Sequence, residues 1–176
     1  MALVVLLRGV NVGGNRTFRP KALATAMGEL DVVNIGAAGT FVVRGRVTQR
    51  RAREELARRL PFVTDVAICD GREFLRVIAA HRPSPSAMRP GFVPFVSVLT
   101  RTPRLTPSLP LFLPTPEDWL LTIEAQERRY VFGAYQRHMK AIGALGRIDT
   151  LFGVPLTTRT WGTIESIVRV LEGTSA

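Results

Sequence analysis

"DVVNIGAAGTFVVRG", Asp31 to Gly45, sets two short β-prone runs on either side of a small-residue break at residues 37–39. β-branched residues crowd both runs, and the break between them reads as a hairpin. Before the hairpin, Leu23, Met27 and Leu30 recur at i, i+4, i+7. They stand behind Pro20, which suits a first helical turn, so a helix is expected there. Earlier still, "ALVVLL" (residues 2–7) is a continuous apolar run of strand length. Such a run fits a central strand covered on both faces. After the hairpin, "TQRRAREELARRL" (48–60) reads as a helix with Ala52, Leu56 and Leu60 on one face. Glu54 and Glu55 each stand four residues before an arginine, Arg58 and Arg59, and both acids are expected on the solvent side. Pro61 ends this helix and "FVTDVAIC" (62–69) follows as a strand. The order is β-α-β-β-α-β, that of a ferredoxin-like unit.

The second half is punctuated differently. "GREFLRVIAAH" (71–81) is a short closing helix, after which nine of the twelve prolines fall between Pro83 and Pro116. A helix cannot persist through such a stretch. "FVPFVSVLT" (92–100) still reads as a strand, with Pro94 arguing for an edge or a bulge. "DWLLTIEAQERRYVFGAY" (118–135) reads as two strands around a polar turn at "EAQER". A helix from about Gln136 would carry Ile142, Leu145, Ile148 and Phe152 on its apolar face and stop at Gly153 and Pro155. "PLTTRTW" (155–161) is a short last strand, and "TIESIVRVLE" (163–172) a terminal helix with Ile164, Ile167, Val168 and Leu171 at helical spacing. The expected class is α+β: two associated ferredoxin-like (βαββαβ) subdomains with a C-terminal helix. Residues 1–82 form the first subdomain with its closing helix, 83–116 a proline-rich connection with a strand near 92–99, and 92–176 the second subdomain and terminal helix.

A chain of 176 residues with 46% apolar content can bury a sizeable core. "MALVVLLRGV" has no basic n-region, its apolar run stops at Arg8, and it reads as a buried strand rather than a targeting signal. No apolar run approaches the roughly 20 residues of a membrane helix. One cysteine, Cys69, excludes an internal disulfide and reads as a small core residue at a strand end. A cytoplasmic setting and no membrane partner are expected. The net charge of +10 invites a polyanion. Against this, all but Lys21 and Lys140 of the 24 basic residues are arginine, spread along the chain, a skew that GC-rich coding also produces.

"LLRGVNVGGNR" (6–16) carries the main functional question. Successive amides of a glycine-rich turn can cradle an anion, and Arg8, Arg16 and Arg19 would add charge. The spacing of Gly9, Gly13 and Gly14 matches neither the P-loop nor the dinucleotide fingerprint, and glycine also serves simply to turn a chain. Elsewhere the chemistry is sparse. His81 and His138 have no acid or thiol at metal-ligand spacing, no nucleophile elbow occurs, and no general acid–base pair stands out. No cofactor and no metal are expected. "TTRTWGT" (157–163) precedes the terminal helix. Its hydroxyls and Glu165 suit a helix cap, with Trp161 in the core; the functional alternative is a recognition edge, Arg159 as a fork and Trp161 as a stacking plate.

The sequence resembles domain-of-unknown-function family 1697, a widespread group of small bacterial proteins. "LLRGVNVGG" at Leu6–Gly14 matches that family's opening L-L-R-G-I/V-N-V-G-G, and "TTRTWGT" is similar to its C-terminal T-x-R-N-W-N-T. The resemblance implies two associated ferredoxin-like subdomains and no established activity. This chain departs from the family's Q-S-G-N after the second strand, having Ala37, Ala38, Gly39 and Thr40. Thr160 and Gly162 replace the asparagines around Trp161, and Glu165 replaces a lysine. The favoured reading is a non-enzymatic module binding a small anionic ligand through Arg8, Asn11, Gly13, Gly14, Arg16, Arg159 and Trp161. The alternatives are a nucleic-acid-binding protein, against which the strands lack paired exposed aromatics, and an enzyme acting on a phosphorylated or nucleotide-like substrate, which lacks a visible base.

Overall fold

The computed structural model describes residues 2–11 and 17–173. Its first elements are β1 (Leu3–Leu7), α1 (Pro20–Ala26), β2 (Val32–Ile35), β3 (Thr40–Val43), α2 (Gln49–Arg59) and β4 (Val66–Asp70). The strands form one antiparallel sheet in the order β2-β3-β1-β4. The apolar run of β1 is buried at all five positions, as a strand paired on both edges and covered on both faces must be. Leu3, Val5 and Leu7 meet Leu23 of α1, Met27 at its C-terminal cap, and Ala52 and Leu56 of α2 in one core. Cys69, opposite Val4, is fully buried in β4.

Helix α2 corrects one expectation. Glu55 is buried, not on the solvent side, and pairs with both Arg58 and Arg59. Glu54 is the exposed acid, and it pairs back to Arg50 at 3.0 Å rather than forward to Arg58. Arg59 also donates from Nε to the Ala26 carbonyl at 3.1 Å. The glutamate is therefore buried with its counter-charges, the condition under which a carboxylate can leave water.

The chain continues through α3 (Gly71–Ala80) to β5 (Phe92–Leu99), β6 (Leu111–Pro114), β7 (Trp119–Glu127), β8 (Tyr130–Gln136), α4 (Met139–Leu145), α5 (Ile148–Phe152), β9 (Leu156–Thr160) and α6 (Trp161–Leu171). A second antiparallel sheet has the order β6-β7-β8-β5-β9. The class is α+β. By its contacts the chain divides into two units, Met1–Arg76 with Gly162–Ala176, and Val77–Trp161.

Several elements of the second unit differ from expectation. Strand β5 is neither edge nor bulge but lies between β8 and β9; Pro94 is tolerated because β9 pairs only from Phe95 onward. The proline stretch holds a second strand, β6, at the sheet edge where proline costs no ladder bond. Strand β7 runs through the expected turn to Glu127, absorbing Glu124 as a bulge, and the reversal needs only Arg128 and Arg129, with Arg128 left-handed at φ 51°. The expected single helix is two short ones. Gly143 and Gly146 weaken its middle, and Ile142 is exposed while Ala141, Ile148 and Phe152 are buried. Phe95, Leu121, Ile123, Val131 and Phe152 form the core of this unit.

Two glycines of this unit should respond in opposite ways. A Cβ on Gly133 would lie 2.0 Å from the Thr122 carbonyl oxygen and 2.8 Å from the Phe95 ring. Gly133→Ala is expected to cost about 3 kcal/mol or more. Nothing lies within 4 Å of a Cβ on Gly143. Gly143→Ala in α4 should stabilise by about 0.5–1 kcal/mol. Urea-denaturation midpoints of the two variants measure both effects.

Candidate functional site

Arg8 leaves the end of β1, and its backbone is held before its side chain is considered. Its N–H donates to the Asp65 carbonyl at 3.0 Å, and the Thr64 hydroxyl donates to its carbonyl at 2.6 Å. The guanidinium reaches the Asp65 carboxylate at 3.3 Å, with both side chains more than a third exposed. Such a pair is worth at most about 1 kcal/mol, so an incoming anion can compete for it.

Beyond Arg8 the chain turns twice through the left-handed region, at Gly9 (φ 58°) and Asn11 (φ 53°). Asparagine is among the few residues that tolerate that conformation. Its side chain then closes the loop. Nδ2 donates to the Phe18 carbonyl at 3.2 Å and to the Ala37 carbonyl at 2.8 Å, while Oδ1 accepts from the Phe18 N–H at 2.9 Å. One amide thus spends both donors and one acceptor site on backbone groups. It pins the start of the loop to its end, and both to the β2–β3 hairpin. Among the described residues, one Oδ1 lone pair is left without a partner.

The hairpin is drawn in equally closely. The Gly39 carbonyl accepts from the Leu7 N–H at 2.8 Å. A Cβ on Gly39 would lie 2.6 Å from a Val10 methyl and 2.8 Å from the Leu7 Cβ, and Gly39 has φ +67°. Gly39, the one residue kept from Q-S-G-N, is the one this approach cannot do without.

Gly13, Gly14 and Arg16 lie outside the described residues. The loop re-enters at Thr17, Phe18 and Arg19, which line an open cleft of about 460 Å³ with Ala22 and Arg59. Among the described residues the exposed Arg19 makes no ion pair.

Arg159 and Trp161 belong to the second unit. Arg159, the fork of the functional alternative, is buried in β9 opposite Val96. It donates to the Thr157 hydroxyl at 2.7 Å and the Thr158 carbonyl at 2.8 Å. Burial lowers its pKa to about 10, still charged at neutral pH. Trp161 is buried at the start of α6, the core placement rather than an exposed plate.

The structure also joins residues that sequence spacing could not. His81 stacks on Phe132, ring centroids 4.5 Å apart, and its Nδ1 lies 3.2 Å from the Val77 carbonyl and 3.5 Å from the Glu127 carboxylate. Forty-six positions separate that histidine from that acid in sequence. Among the described residues no three ligating side chains converge on a metal position.

The sequence profile of a family described as "Protein of unknown function (DUF1697)" matches residues 1–105. The chain belongs to this family. The match contains the opening Leu6–Gly14 signature and the hairpin that Asn11 ties to it; residues 157–163 lie beyond it. The fold is shared with the conserved bacterial protein SP0830 from Streptococcus pneumoniae, at 13% identity and a TM-score of 0.61, over 97% of this chain and 98% of that one. At that identity the likeness speaks for the fold alone. No curated protein matches the chain.

Replacing Asn11 by glycine keeps the left-handed backbone accessible and removes the three side-chain bonds. Asn11→Gly is expected to lower stability by about 1.5–3 kcal/mol. A urea midpoint within about 0.5 kcal/mol of wild type would show that the clamp contributes nothing.

Proposed function

We propose that the protein is a non-enzymatic binding module for a small anionic ligand, seated where the loop after β1 leaves the first sheet. The biochemical role of its family is unknown. The observation that carries the reading is the Asn11 clamp, which ties the two ends of a glycine-rich loop between the half-buried Arg8 and the exposed Arg19. A segment tied at Asn11 and Phe18 costs less to order around a ligand, and nearby guanidinium groups supply the charge. Arg8 is the first residue of the proposed contact, freed from Asp65 when the anion arrives. Gly13, Gly14 and Arg16 supply the loop itself. Arg159 and Trp161 are not needed for this reading.

The architecture around the loop is, in the same proposal, a pair of ferredoxin-like subdomains. The first sheet's order β2-β3-β1-β4, all antiparallel with helices after β1 and β3, supports this for the first. In the second, β7-β8-β5-β9 repeats the order, with β6 and its loops replacing the first helix. A cytoplasmic setting suits the buried free thiol of Cys69.

Thermal unfolding with inorganic phosphate, sugar phosphates, nucleotides and short oligonucleotides, at low and high salt, tests the ligand. A small anion should raise Tm, as any ligand of the native state must, and Arg8→Ala and Arg19→Ala should each reduce the gain. A gain unchanged in both variants would place the site elsewhere. A gain given only by oligonucleotides and lost steeply with salt would replace this reading with nucleic-acid binding.

A further inference from the structure

The second unit holds a larger cleft, about 550 Å³, between the β6–β7 edge and the α4–α5 segment. That volume falls within the range of small-molecule sites, about 300–1,000 Å³. Its chemistry is divided. Leu113, Leu120 and Leu151, all half-buried, form an apolar wall, while Lys140, Arg147 and Thr150 are exposed along it. Among the described residues no acid lines the cleft, and neither Lys140 nor Arg147 has a side-chain ion pair or hydrogen bond. Cations left unpaired in a protein with ion pairs at Asp31, Glu54, Glu55 and Asp65 are available for a ligand.

The break in the helix produces this arrangement. A continuous helix from Gln136 would have carried Ile142, Leu145 and Ile148 on one buried face. Instead the chain reorients around Gly146, Ile142 is exposed, and Lys140 of α4 and Arg147 at the junction both border the cleft.

We propose that this cleft binds an aliphatic carboxylic acid of medium chain length, its carboxylate between Lys140 and Arg147 and its chain along the leucine wall. Two cations in a cleft that no acid lines select an anion, and carboxylate accepts readily from both ammonium and guanidinium donors. The leucines require an apolar body, which excludes inorganic phosphate and short polar acids as good ligands. Each methylene that leaves water tightens binding about fourfold. The site is independent of the loop after β1, so either proposal stands if the other fails.

Isothermal titration of the full chain with hexanoate, octanoate and decanoate, each below its micelle concentration, reads the chain-length dependence. Affinity should rise about sixteenfold for every two carbons, and neutral decanol should bind more weakly than decanoate. Lys140→Gln with Arg147→Gln should weaken decanoate at least tenfold while leaving decanol unchanged. Both positions are exposed, and circular dichroism checks the fold. The proposal is overturned by absence of binding, by affinity that ignores chain length, or by a double variant that binds decanoate normally. It is equally overturned if the protein binds vesicles containing anionic phosphatidylglycerol but no free acid, which would make this face a membrane contact.

Discussion

One side-chain amide decides the shape of the edge where the chain leaves β1 beside the β2–β3 hairpin. Asn11 gives two donors and an acceptor to backbone groups of residues 7 and 26 positions away. Without it, the segment from β1 to α1 would lose its tie to the β2–β3 hairpin, and glycines lose more conformational entropy on ordering than any other residue. With it, the loop has a fixed root between Arg8 and Arg19, and the β2–β3 hairpin is part of that root. Gly39 completes the junction, since any side chain there would enter the space filled by Leu7 and Val10. The invariable demand is thus geometric: left-handed backbone at Asn11 and Gly39, and an amide able to serve three partners. Aspartate has no donor and alanine no polar group, so neither reproduces it.

The second unit solves a related problem without a clamp. Its sheet accommodates proline at an edge and glycine at the centre. Gly133 lets the Phe95 ring lie against β8, so this core is packed through a missing side chain. The price of that sheet is a weak return segment, where two short helices replace a long one and leave charged and apolar groups facing one cleft. Rigid sheet and loosely specified helices are the usual division between scaffold and site.

Much of the fold was legible because its signals are local. The apolar run of β1, the two β-branched runs around Ala37–Gly39, and the spacing of Leu23, Met27 and Leu30 each report their own element, and all three helical positions are buried. Strand β6 was hidden because prolines, read locally, argue against any strand; only its place at a sheet edge makes them acceptable. The break between α4 and α5 was signalled by Gly143 and Gly146, but apolar spacing across them suggested continuity. Glu55 was misplaced because a charged helix face looks solvated until its arginines are seen to cover it. The candidate site was legible only in part. Arg8 and Asn11 could be named from the opening signature, yet Asn11's partners Phe18 and Ala37, and the approach of Glu127 to His81, are products of folding at long range. Arg159 was singled out as a fork because sequence carries no record of burial.

The central claim is that Asn11 closes the loop from within. Amide hydrogen exchange of Phe18 tests it most directly, because that N–H donates to Asn11 Oδ1. The account predicts a Phe18 amide protected well beyond its exposed neighbours in the wild-type protein, with that protection lost in Asn11→Gly while the β1–β3 amides keep theirs. A Phe18 amide that exchanges at the rate of an open chain in the wild type, or one equally protected without the asparagine, would contradict it.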